Sequence, residues 1–174
     1  MTDKLFSNNT NNSNNMAEVL EINNLILSYG FYVDLCDADA VANLWTEDGE
    51  YIVNGIGSWK GHQALKDMVN SPMHKDYVSA GCMHFMGSPQ IKVNHNEAYA
   101  RSNTLLIKYD TQGFAIDRVS NNVWHFRKTD TGWKVVLREN TLLAPKEQQW
   151  PRHYILSNSI RWLHFAHAQA RVLQ

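Results

Sequence analysis

Three long stretches of β pattern in the second half of the chain narrow the choice of fold more than any other feature. Glu97 to Tyr109, Phe114 to Lys128 and Trp133 to Leu142 are separated only by the polar turns Asp110-Thr111-Gln112-Gly113 and Thr129 to Gly132. Strands joined by turns this short pair antiparallel, so the segment is a meander that must lay one face on a core. The stretch before it, Gly81 to Val93, reads as a strand broken at Ser88-Pro89, because proline removes a ladder donor. A polar turn at Asn94-His95-Asn96 then leads into the meander.

Upstream the period changes. From Ala17 to about Cys36 apolar residues recur at helical spacing (Val19, Leu20, Ile22, Leu25, Ile26, Tyr29, Tyr32, Val33), and Tyr29, Tyr32 and Cys36 share a face. Asp37-Ala38-Asp39 is a capping-type stretch before a short helix from Ala40 to Trp45. Thr46-Glu47-Asp48-Gly49 reads as a turn, Glu50 to Asn54 as a strand, Gly55 to Gly61 as a glycine-rich loop, and His62 to Val69 as a third helix. Three helices, one short strand and four long antiparallel strands make an α+β fold, with the sheet curled around the helices.

At 174 residues the chain predicts one domain with a core that needs no staples. The first fifteen residues, crowded with Asn, read as a disordered tail without the apolar run of a signal peptide. The domain is expected over 16–144. An extension over 145–174 follows, with Ile155 to Val172 as its helix and Ile160, Leu163, Phe165 and Ala166 as the apolar side. A net charge of −1 gives no footprint for nucleic acid or an anionic membrane, and no apolar run approaches the ~20 residues of a membrane span. Cys36 and Cys82 lack disulfide-framework spacing, which predicts reduced thiols and a cytoplasmic protein.

One residue on the broken strand stands out chemically. Cys82, His84 and Met86 alternate onto one face, Met83 and Phe85 onto the other, so an imidazole lies among apolar groups. A lone histidine is ordinarily a core or surface residue with a satisfied hydrogen bond; a carboxylate partner would make it a base. Cys82 is ~6.5–7 Å along the strand from His84, beyond a hydrogen bond, and reads as pocket wall rather than nucleophile. Trp124 shares its strand face with Asn122 and Ser120, as pocket wall or as ordinary core. Eight histidines invite a metal, yet neither the His164/His167 pair nor His74 before His84 supplies a recognisable ligand spacing, so neither metal nor cofactor is expected.

The order of elements, with Tyr32-Val33-Asp34-Leu35-Cys36-Asp37 closing the first helix, resembles the SnoaL-like branch of the nuclear transport factor 2-like superfamily. The segment Leu44-Trp45 to Gly61, with Cys82-Met83-His84-Phe85 and Trp133-Lys134-Val135-Val136-Leu137-Arg138, is similar to the cofactor-free lyases of that branch: the scytalone and bile-acid dehydratases and hexachlorocyclohexane dehydrochlorinase. The resemblance covers roughly Ala17 to Leu143. It implies a cystatin-like cone, a curved antiparallel sheet wrapped around N-terminal helices and enclosing a pocket. It also implies a carboxylate–histidine dyad, which falls on Asp37 and His84, with Arg138 supporting elimination and Tyr32 as proton donor to the leaving group. Arg138 could equally face outward in a surface pair.

The same resemblance puts Tyr51, Asn54, Lys108 and Asn122 in a substrate shell, beside Tyr29, Cys82 and Trp124. Tyr32 stands where the dehydrochlorinase has a lysine, and Lys108 lies only near the position of scytalone dehydratase's second histidine. The implied activity is β-elimination from a hydrophobic, cyclic small molecule. The alternatives are isomerisation or cyclisation on the same fold, or a non-catalytic ligand-binding or dioxygenase β-subunit-like role. A homotrimer is the implied assembly, with a dimer as its alternative, because Val119, Val123 and His125 leave an apolar outer sheet face.

Overall fold

The computed structural model describes residues 13–143. The extension expected at 145–174 and the first twelve residues of the Asn-rich tail lie outside that range. The elements are α1 (Ser13–Asp34), α2 (Ala38–Asn43), β1 (Trp45–Val53), β2 (Gly57–Lys60), α3 (Gly61–Asn70), α4 (Pro72–Ser79), β3 (Cys82–Met86), β4 (Gln90–Asn94), β5 (Glu97–Asp110), β6 (Gly113–Thr129) and β7 (Gly132–Leu142). The strands form one sheet in the order β2-β1-β7-β6-β5-β3, with β4 also paired to β5 beyond the break at Ser88-Pro89.

Several expectations need correcting. The sheet is mixed rather than antiparallel throughout, because β1 runs parallel to β7. Thr46-Glu47-Asp48-Gly49 is not a turn. It lies within β1, where the register against β7 shifts between Trp45 and Glu50. Glycine is needed there, since a Cβ on Gly49 would stand 2.8 Å from the Val135 carbonyl oxygen. The glycine-rich segment before Gly61 carries β2, hairpin-paired to β1. Helix α4 was missed although its start is written plainly, with Ser71 accepting from the His74 N–H and Pro72 at the first helical position. Helix α1 begins at Ser13, ahead of the helical periodicity that starts at Ala17.

The end of α1 matters most for the site. Asp34 is its last residue, and Cys36 turns into the left-handed region at φ 53°. Asp37 N–H bonds Tyr32 O and Cys36 N–H bonds Val33 O, which is a Schellman closure. The chain has therefore left the helix by Asp37. That side chain caps α2, its Oδ1 accepting from Ala40 N–H at 2.9 Å.

Ile22, Ile26, Tyr29 and Val33 form the buried stripe of α1, packed into a core with Trp45, Trp124, Phe126 and Val135. Beside that stripe, Gly30 faces β3 so closely that a Cβ would stand 2.5 Å from His84 O. This absence of a side chain lets the last turn of α1 approach the strand. Gly30→Ala is expected to lower stability by ~1–3 kcal/mol through overpacking, although Ala ordinarily gains about 1 kcal/mol over Gly inside a helix. Denaturant midpoints of the two proteins check this; an Ala variant as stable as the parent would contradict it.

Candidate active site

His84 sits on β3 opposite Leu106 of β5, on the face that meets α1. Its partner is Asp34, not Asp37. Asp34 Oδ1 stands 2.6 Å from His84 Nδ1, while Oδ2 accepts the His84 backbone N–H at 2.9 Å. One carboxylate thus grips both the ring and the backbone of the same residue. Because a carboxylate only accepts, Nδ1 carries the proton, and the neutral form of the ring then has its lone pair on Nε2. The His84 and Asp34 side chains are 20% and 22% exposed, sheltered but reachable. Asp37 lies beyond the Schellman turn, exposed, with its side chain on the α2 cap.

Two neighbours shape the pair. Cys82 Sγ lies 3.9 Å from Asp34 Oδ1; burial first, then the Asp34 carboxylate, push its thiol up to about 11. It therefore stays protonated at neutral pH. His74 on α4 donates from Nε2 to Val33 O at 2.9 Å, its ring centroid 6.0 Å from that of His84. Burial, together with the neighbouring His84, lowers the His74 pKa, the Val33 carbonyl and Asp34 opposing this.

A group whose folded pKa is depressed binds fewer protons folded than unfolded, so stability is full above its unfolded value and falls as pH drops through that value. Melting temperature is accordingly expected to fall between about pH 7.5 and about pH 5.5, and to fall less in a His74→Gln variant. Equal slopes for the two proteins would remove His74 from the account.

A second cluster lies farther across the sheet. Trp124, Arg138 and Tyr51 are cross-strand neighbours on β6, β7 and β1, and Tyr29 of α1 closes over them. The guanidinium carbon of Arg138 lies 4.1 Å from the Tyr29 ring centroid, 4.4 Å from Trp124 and 4.5 Å from Tyr51. Arg138 is 1% exposed and faces inward. Its Nε donates to Asn122 Oδ1 at 3.0 Å, while its buried Nη1 finds no acceptor. No carboxylate among the described residues pairs with it. Burial above all, then Tyr51, drives the Tyr29 phenol well above its usual pKa, and Arg138 pulls it back. Tyr29 remains a protonated donor beside a buried cation.

Asn122 is the hub of a polar network. Its Oδ1 also accepts from Asn140 at 2.9 Å, and its Nδ2 donates to Thr104 Oγ1 at 2.5 Å. Those bonds hold the Arg138 guanidinium and the Asn140 amide against it. Thr104 in turn touches Met86 Sδ, which shares the strand face of His84, so the network runs from one cluster toward the other. Trp124 is fully buried, with its indole N–H on Ser102 Oγ.

The remaining expected residues have partners of their own, and Lys108 is also the cross-strand neighbour of Cys82. Asn54 donates to Thr141 Oγ1 at 2.7 Å, and Lys108 pairs with Asp117 at 3.0 Å and lies over the Tyr77 ring. Tyr32 packs half-buried against the core, and the phenol that lies on Arg138 is that of Tyr29. The offset of five residues expected between Tyr32 and Asp37 recurs one helical turn earlier, between Tyr29 and Asp34.

The SnoaL-like domain profile matches residues 14–139. The chain belongs to the SnoaL-like family. An NTF2-like protein with a cystatin-like fold from Novosphingobium aromaticivorans is 35% identical, with TM-score 0.73 over 79% of this chain and 94% of that one. Hexachlorocyclohexane dehydrochlorinase LinA-type3 from Novosphingobium barchaimii LL02 is 19% identical, with TM-score 0.65 over 75% and 89% of the two chains. A scytalone dehydratase candidate from Novosphingobium aromaticivorans is 22% identical, with TM-score 0.62 over 83% and 89%. These last two likenesses bear on the fold alone. No curated protein matches the chain. As a SnoaL-like protein it carries N-terminal helices on a curved, unclosed mixed sheet, and no described helix is long and apolar enough to cross a membrane.

Proposed function

We propose that this SnoaL-like protein is a cofactor-independent lyase that removes a proton and a β-leaving group from a hydrophobic, cyclic small molecule. The observation that carries the reading is the double grip of Asp34 on His84, which fixes the ring tautomer and leaves Nε2 as the base. Asp34 stabilises the imidazolium once the proton is taken. Tyr29 and Arg138 supply a donor and a permanent cation for the charge that develops on the departing hydroxide or halide. Isomerisation needs the same base and places its enolate oxygen at the same cation.

The test is a panel of cyclic alcohols, halides and ketones incubated in deuterated water. Exchange at a carbon acid reports the base even where no product forms. Exchange is expected with the parent protein and not with His84→Ala; equal exchange by both would sink the proposal.

We further propose a homo-oligomer in the cytoplasm, a trimer before a dimer. Val119, Val123 and His125 are only partly exposed, and His125 pairs with Glu97. On the described strands the large exposed apolar groups are instead Met83, Phe85 and Ile116, with Phe114 against Tyr109. Light scattering at micromolar concentration is expected to return three chain masses, and a monomer would reject it.

A further inference from the structure

Asp34, Cys82 and His84 place three unlike ligand atoms, a carboxylate oxygen, a thiol sulfur and an imidazole nitrogen, within 4.8 Å of one another. The hydrogen-bonded pair uses only two of them. In a tetrahedral zinc site with bonds of ~2.0–2.3 Å, neighbouring ligand atoms lie roughly 3.3–3.8 Å apart. The Cys82 Sγ to Asp34 Oδ1 separation of 3.9 Å is already close to that. The His84 Nδ1 to Asp34 Oδ1 separation of 2.6 Å must open by roughly 0.8 Å, within reach of a small side-chain rotation once the bridging proton has gone.

We propose that Asp34, Cys82 and His84 bind a divalent ion of the zinc class through Oδ1, Sγ and Nδ1, in competition with the hydrogen-bonded form. The donor set decides the ion: thiolate and imidazole favour zinc over magnesium or calcium, which seek oxygen. Cys82 and His84 are held on one face of a strand, and Asp34 is steadied by the His84 backbone N–H, so the ligands are gathered before the ion arrives. Three protein ligands leave the fourth position to water.

The exchange balances without redox change. The Cys82 thiol releases its proton to solvent as the sulfur–metal bond forms, and the neutral imidazole keeps one proton, moved from Nδ1 to Nε2. A metal on Nδ1 therefore converts Nε2 from acceptor to donor and silences the base. That inhibitory consequence rests on the proposed role of His84; the binding itself does not.

The experiment titrates metal-free full-length protein with Co²⁺ as spectroscopic probe and Zn²⁺ as competitor. Expected are a near-ultraviolet thiolate-to-cobalt band and visible bands of tetrahedral intensity, all erased by Zn²⁺. Cys82→Ser should lose the thiolate band and weaken Zn²⁺ at least roughly a hundredfold, since even a residue supporting a ligand costs ~10–100-fold. Cys36→Ser, which removes the neighbouring thiol, should keep the band. No band in the parent, a band that survives Cys82→Ser, or one lost with Cys36→Ser would overturn the site. Circular dichroism confirms that the variants fold, with Cys82→Ala measured if the Ser variant does not. If Zn²⁺ fills the site and leaves proton exchange untouched, the base assignment fails and the metal site stands.

Discussion

Asp34→Asn is expected to reduce turnover by roughly a hundredfold or more, and His84→Ala by the ~10²–10⁴-fold that a positioned base supplies. An amide at Asp34 can still accept from His84 N–H. It no longer carries the charge that favours imidazolium, and its NH₂ stabilises the wrong ring tautomer. Asp37 provides the contrast. Asp37→Ala should cost about 1 kcal/mol of stability through the lost α2 cap while turnover stays near that of the parent. Steady-state kinetics beside denaturant unfolding separate the two aspartates. Should Asp37→Ala lose turnover and Asp34→Asn keep it, the site described above is misassigned.

Arg138→Met is expected to lose roughly a hundred- to a thousandfold in turnover, the usual result of removing a donor aimed at developing charge. Its effect on stability should have the opposite sign or be close to nil. Desolvating a guanidinium costs several kcal/mol, and no carboxylate among the described residues offsets it. Three aromatic faces and one amide oxygen do so in part, each ring giving about 0.5–2 kcal/mol. Met keeps much of the volume and needs no partner, so thermal unfolding should be unchanged or shifted upward. Inactivity with undiminished stability marks a residue retained for chemistry. A variant that unfolds readily yet still turns over would make Arg138 structural instead.

Periodicity carried most of the fold. The meander and the helical stripe from Ile22 to Val33 were legible because each buries one face of a regular element, and the break at Ser88-Pro89 because proline lacks a ladder donor. What periodicity could not carry was the parallel pairing of β1 with β7, a long-range match with no local trace. Nor could it carry the absorption of Thr46 to Gly49 into a strand, where tertiary pairing overrides turn chemistry.

At the candidate site, the structure turns Arg138 inward and pairs His84 with Asp34, one turn of helix before the Asp37 that the resemblance had implied. Two local signals pointed the other way. Asp37 lies three residues before Ala40, whose N–H it caps, and Gly30 and Asp34 are four apart on one helix face. An aspartate in the last turn of a helix also opposes the macrodipole. Such a placement is expected where a specific partner, here His84, holds it.

The position of β7 has a consequence for how the molecule is made. This strand, the last of the described sheet to leave the ribosome, lies between β1 and β6, and Thr46 meets Val135 across 89 residues of chain. Until it arrives, the β1–β2 hairpin has no neighbour within the sheet and exposes an edge. The α1–β3 contact that holds Asp34 to His84 needs β5, to which β3 is paired, but no residue of β7. The two clusters therefore mature in order, the Asp34–His84 pair before the Arg138 cluster, which waits for β7. A folding rate set by this distant pairing should be slow for the domain's size.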